Sequence, residues 1–156
     1  MRLTLFTDYS LRTLIYLGLR GEGLASIAEI ARAYHIKQNH LTKVVHHLAQ
    51  IGVVETVRGR QGGLRLARAP ERIGLGDMVR QTEESFAVVE CFSSRACLLT
   101  GACQLECVLH AALAAFLAVL DRYTLADLLG SGPATMAARL GLRAPALAGP
   151  ALAGPD

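Results

Sequence analysis

Between Ser26 and Ala67 the hydrophobic period switches once, from that of a helix to that of a strand, and few folds accept this order over so short a stretch. SIAEIARAYHI opens with Ser26 and Glu29, spaced as in a capping box, and sends Ile27, Ile30 and Ala31 to one face. In KQNHLTKVVHHLAQIG, Leu41, Val44, Val45 and Leu48 recur at i, i+3, i+4 and i+7. That pattern predicts an amphipathic helix that stops before Gly52. VVETVRGRQGGLRLAR then reads as two strands, about 53–57 and 64–67, joined by a loop of Arg and Gly. Two short helices followed by a basic hairpin make a winged helix-turn-helix.

Such a unit has a specific use for its polar residues. A helix fits the major groove, where base edges are read by side chains that donate and accept in pairs. Asn39, His40 and Lys43 occupy the reading positions of the second helix. In the hairpin, Arg58, Arg60, Gln61 and Arg65 surround Gly59, Gly62 and Gly63. Glycine lets the backbone approach a phosphate or enter a narrow groove, and arginine supplies the charge. Charge agrees with this: residues 1–80 hold 12 Lys/Arg against 6 Asp/Glu, a net +6, whereas residues 81–156 hold 4 against 7, a net −3. Either feature alone also fits a solvated helix face or an ordinary surface turn. Both in succession, on the basic half of the chain, point to double-stranded DNA.

The flanks complete a fold that is mainly α with a small β-wing. Leu11, Leu14, Ile15 and Leu19 give residues 8–20 one helical face, with Thr7 as the expected N-cap and Asp8 in the first turn. IGLGDMVRQTEE is a further short helix. From about Gln104 to Asp121 a long helix is apolar on more than one side, more than so small a chain can cover, which predicts a homodimer formed through it. The expected organisation is a winged helix-turn-helix DNA-binding domain over 1–80, a cysteine segment and dimerisation helix over 81–130, and a tail over 131–156. The tail carries PALAG twice and is expected to be disordered.

All four cysteines fall within CFSSRACLLTGACQLEC, as Cys91, Cys97, Cys103 and Cys107. No disulfide framework can staple the whole chain from there. The N-terminus has no signal-peptide pattern, and the apolar run Val108–Leu120 is too short to span a membrane, so the expected location is the cytoplasm. In that compartment clustered thiols hold metal or do redox chemistry. The spacing C-x5-C-x5-C-x3-C lacks the close pairs of structural zinc knuckles and suits thiolates wrapped around an iron–sulfur cluster. A zinc site, a thiol–disulfide switch and inert buried cysteines remain open on spacing alone. No nucleophile–base pair, phosphate loop or carboxylate pair points to an enzyme.

FTDYSLRTLIYL, the helix-turn-helix, the wing VRGRQGGLRLAR, IGLGDMVR and the C-x5-C-x5-C segment together resemble the winged-helix iron–sulfur transcriptional repressors of the NsrR/IscR family. The resemblance runs from Met1 to about Leu129. LT-x-FTDY and the later DRYTLADLL bring it closest to the members that sense nitric oxide. It implies Cys91, Cys97 and Cys103 as cluster ligands, with Asp8 of the partner subunit as the fourth. It implies a 4Fe–4S cluster rather than a 2Fe–2S one, since the two-iron members place a His soon after the third Cys. Here Gln104, Leu105 and Glu106 stand there, and the first His is His110. Cys107 departs from the pattern and is the alternative fourth ligand.

The expected function is a nitric-oxide-sensing repressor that binds its DNA operator as a homodimer and lets go when the cluster is nitrosylated. A sensor of iron–sulfur or redox status on the same fold, and a zinc- or thiol-based protein-interaction module, are the alternatives.

Overall fold

The computed structural model describes residues 2–92, 97–99, 102–130 and 132–142. In chain order these form α1 (Leu5–Arg20), α2 (Ile27–Tyr34), α3 (Gln38–Gln50), β1 (Val54–Val57), β2 (Gly63–Leu66), α4 (Leu75–Thr82), α5 (Gln104–Leu120), α6 (Leu125–Gly130) and α7 (Pro133–Arg139). The chain is mainly α with a small β-wing, as the sequence pattern requires.

The helix-turn-helix follows from its caps. The Ser26 hydroxyl accepts from the Glu29 N–H at 3.2 Å, and Glu29 accepts from the Ser26 N–H at 2.6 Å, so the capping box is complete. That backbone bond is the main reason the Glu29 carboxyl lies below the usual glutamate range. His35 ends α2 in the left-handed region at φ 54° and turns the chain into α3. All four apolar positions of α3, Leu41, Val44, Val45 and Leu48, are buried. Gly52 makes the left-handed turn after α3 at φ 68°. Arg68 then reaches back and donates to the carbonyls of Gly52 and Ile51, both at 2.9 Å, satisfying the end of the helix.

The wing pairs antiparallel in the register Val54↔Leu66, Glu55↔Arg65, Thr56↔Leu64, Val57↔Gly63. It is fixed to the helices by Ala25 and Leu64, which exchange backbone hydrogen bonds of 3.0 and 2.8 Å just before α2. The core gathers Leu14 and Leu17 of α1, Ile30 of α2, Leu41 and Leu48 of α3, Leu125 of α6 and Ile73 just before α4, each at most 1% exposed. Burying one such side chain contributes about 1.5–3 kcal/mol.

Two expectations are corrected. Helix α1 starts a turn earlier than Asp8, and its cap is Thr4, whose hydroxyl accepts from the Thr7 N–H at 3.2 Å; Thr7 itself is buried inside the helix. The earlier start brings Phe6 into the helix, where its ring stands edge-on to His47 of α3 at 5.4 Å. The second correction concerns the tail expected to be disordered from 131 onward. It contains α7, with Ala137 and Leu142 buried in the core and Met136 and Leu140 packed against it. An apolar face of that length is enough to dock a short helix, although alanine and glycine surround it. The remainder of the tail, 143–156, lies outside the described residues.

Helix α5 differs from the rest because it buries no residue. Leu105 and Val108 are 58% and 61% exposed. Just past its C-terminal end the chain is anchored, since Leu75 donates to the Tyr123 carbonyl at 2.9 Å and Leu125 donates to the Ile73 carbonyl at 2.8 Å. No described helix is long and apolar enough to cross a membrane.

Candidate cluster site and nucleic-acid interface

The cysteines sit at the free end of α5. Cys103 is its N-cap residue, and Cys91 lies in a short helical turn, Glu90–Phe92. The Phe92 ring stacks on His110 of α5 at 3.8 Å and 9°, holding the Cys91 turn against the helix. Cys91, Cys97 and Cys103 line one cavity of about 280 Å³, with Val89, Leu99 and Leu105 as its apolar wall and Glu90 and Glu106 beside them. Cys107, an exposed thiol on α5, lies outside that wall.

This donor set fits a group larger than an ion. Among the described residues no three His, Cys, Asp or Glu side chains could hold one metal ion together. Thiols spread around a cavity can instead each meet a different iron of a cluster. Cys91 is pushed above the usual thiol range, first by withdrawal from water and then by the Glu106 carboxylate, with Cys97 and Cys103 acting the same way. Negative charge is therefore crowded here, and a cationic centre would have to displace the protons that relieve it. Asp8 is half-buried in the first turn of α1 and engaged at both oxygens by Arg12, whose Nε and Nη2 approach Oδ1 and Oδ2 at 2.9 Å.

Asn39, His40 and Lys43 are all exposed on α3. With Leu5, Phe6, Tyr9 and Val44 they line a groove of about 330 Å³. His40 is also in edge contact with the Tyr9 ring, at 6.1 Å. At the wing tip Arg58, Arg60 and Gln61 are exposed, and Gly59 adopts φ 117°. A Cβ at Gly62 would collide with the carbonyls of Val57 and Gly59, so the tip admits only glycine there. Arg65 behaves differently from the other wing arginines. It donates to Glu55 through Nε and Nη2 at 3.0 and 3.2 Å, across their register pair, and so has a counter-charge within the wing.

The model of one family, Rrf2, described as iron-dependent transcriptional regulators, matches residues 3–131. The chain belongs to the Rrf2 family. This Rrf2 regulator is 51% identical over 131 residues to the HTH-type transcriptional regulator NsrR of Shouchella clausii, covering 82% of this chain and 88% of that one. It is 52% identical over 131 residues to NsrR of Bacillus subtilis, covering 82% and 90%. Among solved structures it resembles CymR, the global cysteine regulator of B. subtilis, with a TM-score of 0.70, 29% identity and coverage of 83% and 97%. It also resembles IscR of T. potens, with a TM-score of 0.69, 28% identity and coverage of 85% and 88%. It is accordingly a winged-helix transcriptional regulator, not an enzyme.

The Rrf2 fold also brings together residues that sequence pattern passed over. His46 and His47 both read as the polar face of α3, yet only His46 is exposed. His47 turns inward, its Nε2 2.9 Å from the carbonyl of Gln81 in α4. Arg80 and Asp121 join α4 to the end of α5. Spacing along the chain carries no signal for either link, because each depends on how two helices meet.

Proposed function

We propose that this Rrf2 regulator is a cytoplasmic, homodimeric repressor that binds an operator in double-stranded DNA and senses nitric oxide through an iron–sulfur cluster. Cys91, Cys97 and Cys103 would hold the cluster, and Asp8 of the partner subunit would complete it. The observation that carries this reading is the single cavity lined by those three thiols and not by Cys107. The 46–52% identical relatives named NsrR support it. A 4Fe–4S cluster is favoured over 2Fe–2S, since Gln104, Leu105 and Glu106 follow Cys103 and the His110 ring is stacked on Phe92.

When bound, the cluster supplies iron that takes up nitric oxide at the expense of its thiolate bonds. The protein's part is mechanical. Cys103 caps α5 and Cys91 is held to α5 through Phe92 and His110, so gripping or releasing these thiols would decide whether the Cys91 turn stays against the helix. The uncovered apolar side of α5, with Leu105, Val108 and Val119, is the face offered to a second copy. Two copies would present two α3 helices, with Asn39, His40 and Lys43 reading bases and Arg58, Arg60, Gln61 and Gly62 entering the flanking groove. An effector shifts DNA affinity only if the two states differ in their fit to DNA, and a coupling of about 1–3 kcal/mol gives about 5- to 150-fold.

The test is anaerobic purification followed by the visible spectrum and the iron, sulfide and zinc content per chain. A brown protein with iron and sulfide is expected. A colourless protein with one zinc, or none after cluster reconstitution, would remove the cluster.

A further inference from the structure

One polar junction joins the base-reading helix to the segment that leads into the cysteines. His47 of α3 directs Nε2 at the Gln81 carbonyl, 2.9 Å away, in the last turn of α4. A carbonyl only accepts, so Nε2 is the protonated nitrogen. This carbonyl is one of those the end of a helix leaves without an intrahelical partner, and His47 satisfies it. Two residues on, the Glu83 carboxylate accepts from the Thr4 N–H at 2.7 Å and from the Thr4 hydroxyl at 3.1 Å, so it holds the cap of α1. The His47 ring also meets Phe6 in the first turn of α1. Thr4, Phe6, His47, Gln81 and Glu83 surround one open cavity of about 400 Å³. Here the chain leaves α4 for Cys91, and Lys43 stands one helical turn from His47 on α3.

We infer that His47 is a positioning residue that relays the state of the cysteine segment to α3. When the segment is gripped, Glu83 keeps the end of α4 on the cap of α1, and the Gln81 carbonyl stays in reach of His47. The reading face of α3 is then fixed for DNA. When the thiols are released, the end of α4 loses that restraint and α3 loses its tether. The inference rests on the cluster-controlled DNA binding proposed above and adds the route by which it acts.

The experiment compares cluster-loaded and chelator-stripped protein for affinity to a duplex selected from a random library by the loaded wild type. The quantity read is the ratio of the two affinities. His47→Leu is expected to cut this ratio by about 2- to 12-fold, the contribution of one hydrogen bond. The visible spectrum should be unchanged, and His47→Gln, which keeps a donor, should restore most of the ratio. If His47→Leu does not fold, Glu83→Leu against Glu83→Gln makes the same comparison. A wild-type ratio in the Leu variant overturns the relay, as does an equal loss of affinity in both states. A ratio of one in the wild type itself overturns the switch and the relay with it.

Discussion

Arg80 and Asp121 meet in a two-point ion pair that joins the last turn of α4 to the residue closing α5, with Arg80 Nη2 donating to Asp121 Oδ2 at 2.7 Å. The pair sits directly over Gly76, where a Cβ would collide with the Asp121 carboxylate. The C-terminal end of α5 is thus seated on a glycine. Gly76→Ala should lower stability although alanine favours a helix by about 1 kcal/mol. In an Asp121→Ala background the same change should be neutral or stabilising, and denaturation of the four proteins in a double-mutant cycle checks this.

The same pair gives a pH dependence of known sign. Arg80 holds the Asp121 carboxyl below the usual aspartate range, chiefly by donating hydrogen bonds to it. A carboxyl depressed in the folded state stabilises that state above its unfolded pKa and loses the contribution as pH falls through the folded value. Stability should therefore drop below about pH 4, the usual aspartate range. In Asp121→Asn this part of the acid slope should be missing from melting curves recorded across that interval.

The cysteines are predicted to be unequal. Cys97→Ala should give a protein with no visible cluster band, because it removes one of three thiols on the cavity wall. Cys107→Ala should keep the band, and Asp8→Ala should load but lose its iron faster. Anaerobic spectra with iron assays read all three. A colourless Cys107 variant would make Cys107 the fourth ligand in place of Asp8.

The wing arginines should also separate. Arg60 is exposed at the tip and has no ion-pair partner among the described residues, so Arg60→Ala should weaken DNA binding and lower the salt slope by about 1. Arg65 has a counter-charge in Glu55, so Arg65→Ala should change the slope less. Binding titrations at several salt concentrations compare the two.

The parts legible in the sequence are those governed by local period. The buried stripe of α3, the Ser26–Glu29 box, the turn at Gly52 and the wing all follow from residues within one or two turns of each other. The spacing of the four cysteines placed them in one segment, but which of them line the cavity with Leu99 and Leu105 depends on how the segment folds onto α5. What stayed hidden depends on meetings between distant segments. Thr4 and Thr7 are equally fit to cap α1, and the packing of Phe6 on His47 decides between them. Helix α7 has one short apolar face in an alanine-rich stretch, and only docking on the core reveals it. Nothing in HH at 46–47 tells which histidine faces α4, since that depends on the angle at which α3 meets α4.

Control of DNA binding by nitric oxide at the cysteine site can be followed in a single titration. Anaerobically purified, cluster-loaded protein is titrated with nitric oxide while its affinity for a selected duplex and its visible spectrum are followed together. The cluster band and the DNA affinity should fall in step, by about 5- to 150-fold in affinity. An affinity that stays constant while the band is lost would contradict it. An affinity that follows removal of iron but not nitric oxide would make the protein a sensor of iron–sulfur status instead.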